Sequence, residues 1–168
     1  MIKGLFAAAS LAFALLIGSP AAAGPVRFPA TGDPAFVVTE PAGWTHQIVS
    51  DDSLAFLAPD STAKLMISIR QGSGKSLDVQ IDEALAQAQF SPARNKAFTA
   101  ISGHLGYEVD TEGTNPLGVR MKVHSVFVTL GGGRVAMATT YVAELVDPAR
   151  QAEVQAMLAG LTLTSSSP

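Results

Sequence analysis

Residues 119–130 and 134–142 are two long runs rich in β-branched and aromatic side chains, joined by Gly131-Gly132-Gly133. Such runs around a short glycine loop predict an antiparallel hairpin, the best-specified piece of the chain. Taking the three glycines as the loop sets a register that places Arg120 opposite Glu144, His124 opposite Thr140 and Phe127 opposite Met137. Strand side chains alternate between faces, so Met121, Val123, Phe127, Val135, Met137 and Tyr141 fall together, with Arg120, Lys122, His124, Thr140 and Glu144 on the other side. The first face is expected to be core. The second is expected to be wholly or partly solvated, with Arg120, Lys122 and His124 as a candidate interaction face.

The same period predicts strands over 36–39, 45–49, 54–57, 64–70, 98–101 and 106–111, separated by turn residues such as Asp51-Asp52-Ser53. In the fourth of these, Leu65, Ile67 and Ile69 make one face strictly aliphatic. Two segments have helical period instead. After a candidate cap at Ser76, Leu77, Ile81, Ala84, Leu85 and Ala88 form an apolar stripe, with Asp78, Asp82 and Glu83 in the opening turns. Asp147-Pro148 supplies a cap and a first-turn proline ahead of Val154, Met157, Leu158 and Leu161, with Gly160 near the stop. Each stripe must lie on the sheet. Gly24 to Pro34, rich in proline and glycine, reads as an irregular lead-in, and residues 165–168 as a frayed, disordered tail.

At the N-terminus, Lys3 precedes an apolar stretch from Leu5 to Ile17 and a small-residue site at Ala21-Ala22-Ala23, the layout of a secretory signal peptide cleaved after Ala23. The stretch is roughly thirteen residues, short of the about 20 that span a bilayer, so a membrane anchor is the weaker reading. About 145 residues remain, the size of one domain, expected over 35–164. No later run is apolar for long enough to span a membrane. Eleven Lys and Arg against fourteen Asp and Glu give a net charge of -3, without the basic excess that a phosphate backbone requires, so nucleic acid is not an expected partner. The chain has no cysteine, which excludes disulfides, thiolate nucleophiles, thiolate-bound metals and lipid-attachment cysteines. A cysteine-free exported chain fits an oxidising space, here a bacterial periplasm, with full secretion as the alternative.

Motifs that carry chemistry are sparse. Gly72-Ser73-Gly74-Lys75-Ser76 lies between a predicted strand and a predicted helix, as a phosphate loop would, but the glycine required five places before Gly74 is Ile69. It reads as a turn with a serine cap. His46, His104 and His124 have no i, i+3 or i, i+4 spacing, and the acids lack a calcium-loop pattern, so no metal or cofactor is expected. No nucleophile elbow occurs. Trp44, the only tryptophan, follows a tight turn and is expected to pack over the end of a core, or else to wall a ligand pocket.

In order, the chain offers a first strand, a Pro-x-Gly-Trp turn at Pro41, Gly43 and Trp44, a run ending near Ala58-Pro59 and a helix after Ser76. A Gly-x-x-Gly turn at Gly103 and Gly106, a long strand pair and a closing helix from Asp147 follow. This arrangement resembles the Mog1/PsbP-like superfamily across most of residues 35–164. The resemblance implies an α+β fold, an antiparallel sheet of about six to eight strands flanked by two helices as an α/β/α sandwich. Superfamily members are chiefly binding and assembly proteins with no shared catalytic set, so no catalytic residue carries over, and fold gives no specific function. The expectation is a non-catalytic periplasmic binding or accessory protein that docks on another envelope protein. The alternative is a carrier of a small or apolar ligand with a pocket near Trp44; a third reading is a hydrolase built from Ser, His and Asp distant in sequence.

Overall fold

In the computed structural model, which describes residues 24–164, Gly131–Gly133 close the long hairpin as a single tight turn. Gly132 and Gly133 take φ of 71° and 73°, a left-handed conformation that side chains disfavour, which is why the loop is built of glycine. The flanking strands, Arg120–Thr129 (β8) and Arg134–Ala143 (β9), pair with His124 opposite Thr140 and Phe127 opposite Met137, as the loop length predicts. Just beyond the ladder, the Glu144 amide donates to the Arg120 carbonyl at 3.0 Å.

The remaining elements, in chain order, are β1 (Pro25–Phe28), β2 (Phe36–Thr39), β3 (Thr45–Ser50), β4 (Ser53–Leu57), β5 (Ala63–Gln71), α1 (Leu77–Gln87), β6 (Asn95–Ile101), β7 (His104–Thr114), α2 (Pro148–Ala159) and β10 (Thr162–Leu163). Seven strands form one antiparallel sheet in the order β3-β4-β5-β9-β8-β7-β6. A second sheet, β1-β2-β10, has three strands. Together with the two helices, this is the α+β architecture that the resemblance implies.

Both faces of the hairpin carry core, which corrects the assignment from alternation alone. Phe127 and Val135 pack with Ile81 and Leu85 of α1 and with Val109, as the expected core face does. The other face holds the larger cluster: Val126, Val128, Ala136 and Ala138 join Phe56, Leu65 and Ile67 beneath Val154 and Met157 of α2. Only its Arg120–His124 end is open to solvent, because α2 crosses β5 and β9 and stops short of that end. Thr140, expected on the solvated side, is buried.

The irregular lead-in is also corrected. Pro25 to Phe28 pair with Thr39 to Phe36, and Phe28 is buried in the main cluster. Proline is tolerated there because β1 is an edge strand and Pro25 is its first residue. β10 closes the other side of β2, so the small sheet and α2 together cover one face of the large sheet while α1 covers the other. The signal peptide with its cleavage after Ala23 and the tail 165–168 lie outside the described residues.

The two helix starts differ in chemistry. Asp147 caps α2 as its sequence predicts, its carboxylate accepting from the Ala149 amide at 2.9 Å with Pro148 in the first turn. Asp147→Ala should therefore lower stability by about 1 kcal/mol in urea unfolding. Ser76 stands at the cap position of α1, but its side chain makes no capping bond. Gln80 ties down the entry to α1 instead, its side-chain oxygen accepting from the Ser73 amide at 3.2 Å and its nitrogen donating to the Lys75 carbonyl at 2.9 Å.

Candidate functional site

Alternation along β7 puts Tyr107, Val109 and Thr111 towards α1, and Glu108, Asp110 and Glu112 on the face that α2 covers elsewhere. Register then sets Asp110 beside His124 and Glu112 beside Lys122 on β8. Since α2 does not reach β6 and β7, an open groove of about 870 Å³ runs between the helix and this end of the sheet. Val126, Thr140 and Val142 form its floor, Gln151, Gln155 and Leu158 its helical wall, and the β7 carboxylates with Lys122 and His124 its strand side. Thus two of the three residues of the candidate interaction face, Lys122 and His124, line a groove, and Arg120 stands just beyond them on β8.

Its charges are largely paired. His124 Nδ1 lies 2.7 Å from Asp110 Oδ1, which places the ring proton on Nδ1, and Nε2 is 3.9 Å from Glu108. Glu112 accepts from Arg94 at 2.6 Å and from Arg120 at 3.3 Å, and Arg120 also lies 3.7 Å from Glu144. Such exposed pairs add little to stability, but they fix where charge sits along the groove. The hydrogen bond from His124 holds the Asp110 carboxyl below its ordinary value of 3.8, helped by Asn95 and opposed by partial burial.

A depressed carboxyl contributes stability that is present above its unfolded value and is lost as pH falls through the folded one. His124→Ala should raise the Asp110 titration towards 3.8 in a carboxyl NMR titration and weaken this acid-side dependence below about pH 4. An unmoved Asp110 titration would show that the contact does not hold the proton off.

Elsewhere the sequence-level candidates stay apart. His46, on the far edge strand β3, pairs with Glu40, and His104 opens β7. Among the described residues, no group of three or more His, Asp or Glu side chains is placed to hold a metal ion. The Gly72–Ser76 loop spends its amide and lysine internally: Ser73 donates to Gln80, and Lys75 pairs with Glu83. Asp52 and Asp60 serve turns, accepting from Ser50 and Ser53 and from Thr62.

Trp44 is 4% exposed, and its Nε1 donates to Glu153 at 2.8 Å on α2. It packs the end of the main core, so the large groove lies away from the pocket position that the sequence suggests. Alternation in Tyr107-Glu108-Val109-Asp110-Thr111-Glu112 is a readable signal for the acidic row; the part played by Gln151 and Gln155 depends on where the helix lies.

Neither a protein-family model nor a curated protein sequence matches the chain. Solved structures do. Cyanobacterial PsbP (CyanoP) of Synechocystis sp. PCC 6803 is similar with a TM-score of 0.61 at 15% identity, over 88% of this chain and 96% of that one. LpqN of Mycobacterium tuberculosis, a protein involved in cell envelope biogenesis, is similar with a TM-score of 0.53 at 14% identity, over 84% and 90%. A Bacteroides thetaiotaomicron protein matches with a TM-score of 0.50 at 16% identity over 79% of this chain, which spans only 45% of that protein. At these identities the likeness is one of fold, and the fold is PsbP-like.

Proposed function

We propose that this is a non-catalytic accessory or binding protein of the bacterial envelope, exported to the periplasm, and that the groove beside β6–β8 is where it meets another envelope protein. The groove itself carries the reading. It is open along the sheet, and its hydrogen-bonding side chains come from both a helix and strands, so a partner surface can engage a preformed array.

Support for an envelope setting comes from the secretory layout of residues 1–23 and from the fold shared with LpqN. In that groove His124 is held by Asp110, and the hydroxyl facing it in register, that of Thr140, donates to the His124 carbonyl at 3.4 Å rather than to the ring. Carriage of a small ligand is the second reading, favoured by a volume within the range of ligand pockets.

Photo-crosslinking in the native envelope tests the proposal. A crosslinker at Lys122 or Gln155 should give the same adduct, and one at Asp82 on α1 should not. Adducts absent from both groove positions, or equal at all three, would overturn it. A small molecule seen bound in native mass spectrometry without any protein adduct would select the carrier reading.

A further inference from the structure

A sheet that does not close leaves one strand at each end with unpaired outer amides and carbonyls, here β3 and β6. Natural proteins guard such edges with lysine, proline, inward charge or a bulge. On β6, Lys96 supplies a guard, pairing with Asp78 of α1 and lying 4.9 Å from the Tyr107 ring. β3, Thr45-His46-Gln47-Ile48-Val49-Ser50, has no lysine, arginine, acid or proline, and all six residues are exposed, Ile48 by 73% and Val49 by 56%. Its one irregularity, between Ile48 and Ser50, leaves Thr45 to Ile48 in regular pairing with β4.

We propose that β3 pairs antiparallel with β3 of a second copy of this chain, so that one sheet runs through a twofold dimer. A strand that pairs antiparallel with itself makes a closed, isologous contact, because each copy offers the same edge in reverse. Facing residues of an antiparallel pair share a face, which restricts the axis. Centred on Ile48, the pair would bring His46 against Ser50, beyond the irregularity. Centred on Gln47, it sets Gln47 against itself and His46 against Ile48, both within the regular run, and reaches the irregularity only at its margin, where Thr45 faces Val49.

Self-complementarity identifies the occupant. With no formally charged side chain in the segment, two copies meet without repulsion, and each exposed Ile48 is covered by the partner's His46 ring, which already rests 5.8 Å from Phe56 in its own subunit. The two Gln47 amides meet at the axis, where each has both donors and an acceptor to offer. β3 lies at the opposite end of the sheet from β6–β8, so both grooves stay open at the outer ends of the dimer. The dimer therefore stands or falls independently of the function proposed for the groove.

The chain's lack of cysteine makes the test direct. Sedimentation equilibrium of the protein purified from its native host should show reversible monomer–dimer exchange. Ile48→Lys should raise the dimer dissociation constant by at least about tenfold, the equivalent of losing most of one buried aliphatic side chain. Leu117→Lys, at an equally apolar exposed position on the β7–β8 turn, should leave it unchanged. Under mild oxidation, Gln47→Cys should form a disulfide-linked dimer, since facing residues of an antiparallel pair bring their Cβ atoms close, whereas Asp82→Cys should not. A protein monomeric at every concentration, a dimer indifferent to Ile48→Lys, or equal crosslinking at positions 47 and 82 would overturn the proposal.

Discussion

Gly106→Ala is expected to destabilise the protein by more than about 4 kcal/mol, enough to leave a domain of ordinary stability largely unfolded. Gly106 faces Val128 across the β7/β8 pair, and a Cβ on it would lie 1.7 Å from the Phe127 carbonyl oxygen and 2.7 Å from Val128 Cα. These are backbone atoms of an interior strand. Relief requires opening the ladder around Phe127 and Val128, which anchor the two cores on opposite faces of the sheet. Gly113, also on β7, is the instructive contrast: its Cβ would meet the Phe90 ring at 2.4 Å, but a side chain can turn aside. Gly113→Ala should therefore cost less, about 1–3 kcal/mol, as overpacking does. Urea unfolding of both variants checks the ranking; a Gly106→Ala protein about as stable as the parent would mean that β7 and β8 do not approach this closely.

How far the sequence discloses these features follows from the range over which each is determined. The hairpin register is legible because three glycines fix it within the hairpin itself, and the α2 cap because Asp147-Pro148 acts on the next few amides. Of the small sheet only β2 is. β1 opens on a proline inside a stretch rich in turn residues and β10 is two residues long, and both exist because β2 lies between them. Nor can alternation tell which hairpin face holds the larger core, since that depends on where α2 comes to rest. Lys122 and His124 are recognisable as polar residues on one face, but their setting in a groove arises from a helix far along the chain that stops short of β7. Local rules thus find the strands and caps, while the groove is a consequence of what the tertiary packing leaves uncovered.

Trp44 tests the division between core and site most sharply. Its ring is buried in the main cluster, its Nε1 donates to Glu153, and the Arg150 guanidinium lies 5.9 Å from the ring centroid while bridging Glu153 and Asp60. Trp44→Ala removes the ring and strands this bridge, and should cost about 3–5 kcal/mol, as large-to-small core changes do. Trp44→Phe keeps most of the packing but removes the donor to a carboxylate, for a loss of about 1.5–3 kcal/mol. Glu153→Gln alone should cost less than Trp44→Phe, because a glutamine oxygen can still accept from the indole and only the charge facing Arg150 is lost. If Trp44 instead walled a binding pocket, Trp44→Phe would lower groove crosslinking from Lys122 while leaving unfolding nearly unchanged. Burial and the hydrogen bond to α2 predict the reverse: folding free energy falls, and whatever properly folded protein remains still crosslinks, because Trp44 itself does not line the groove.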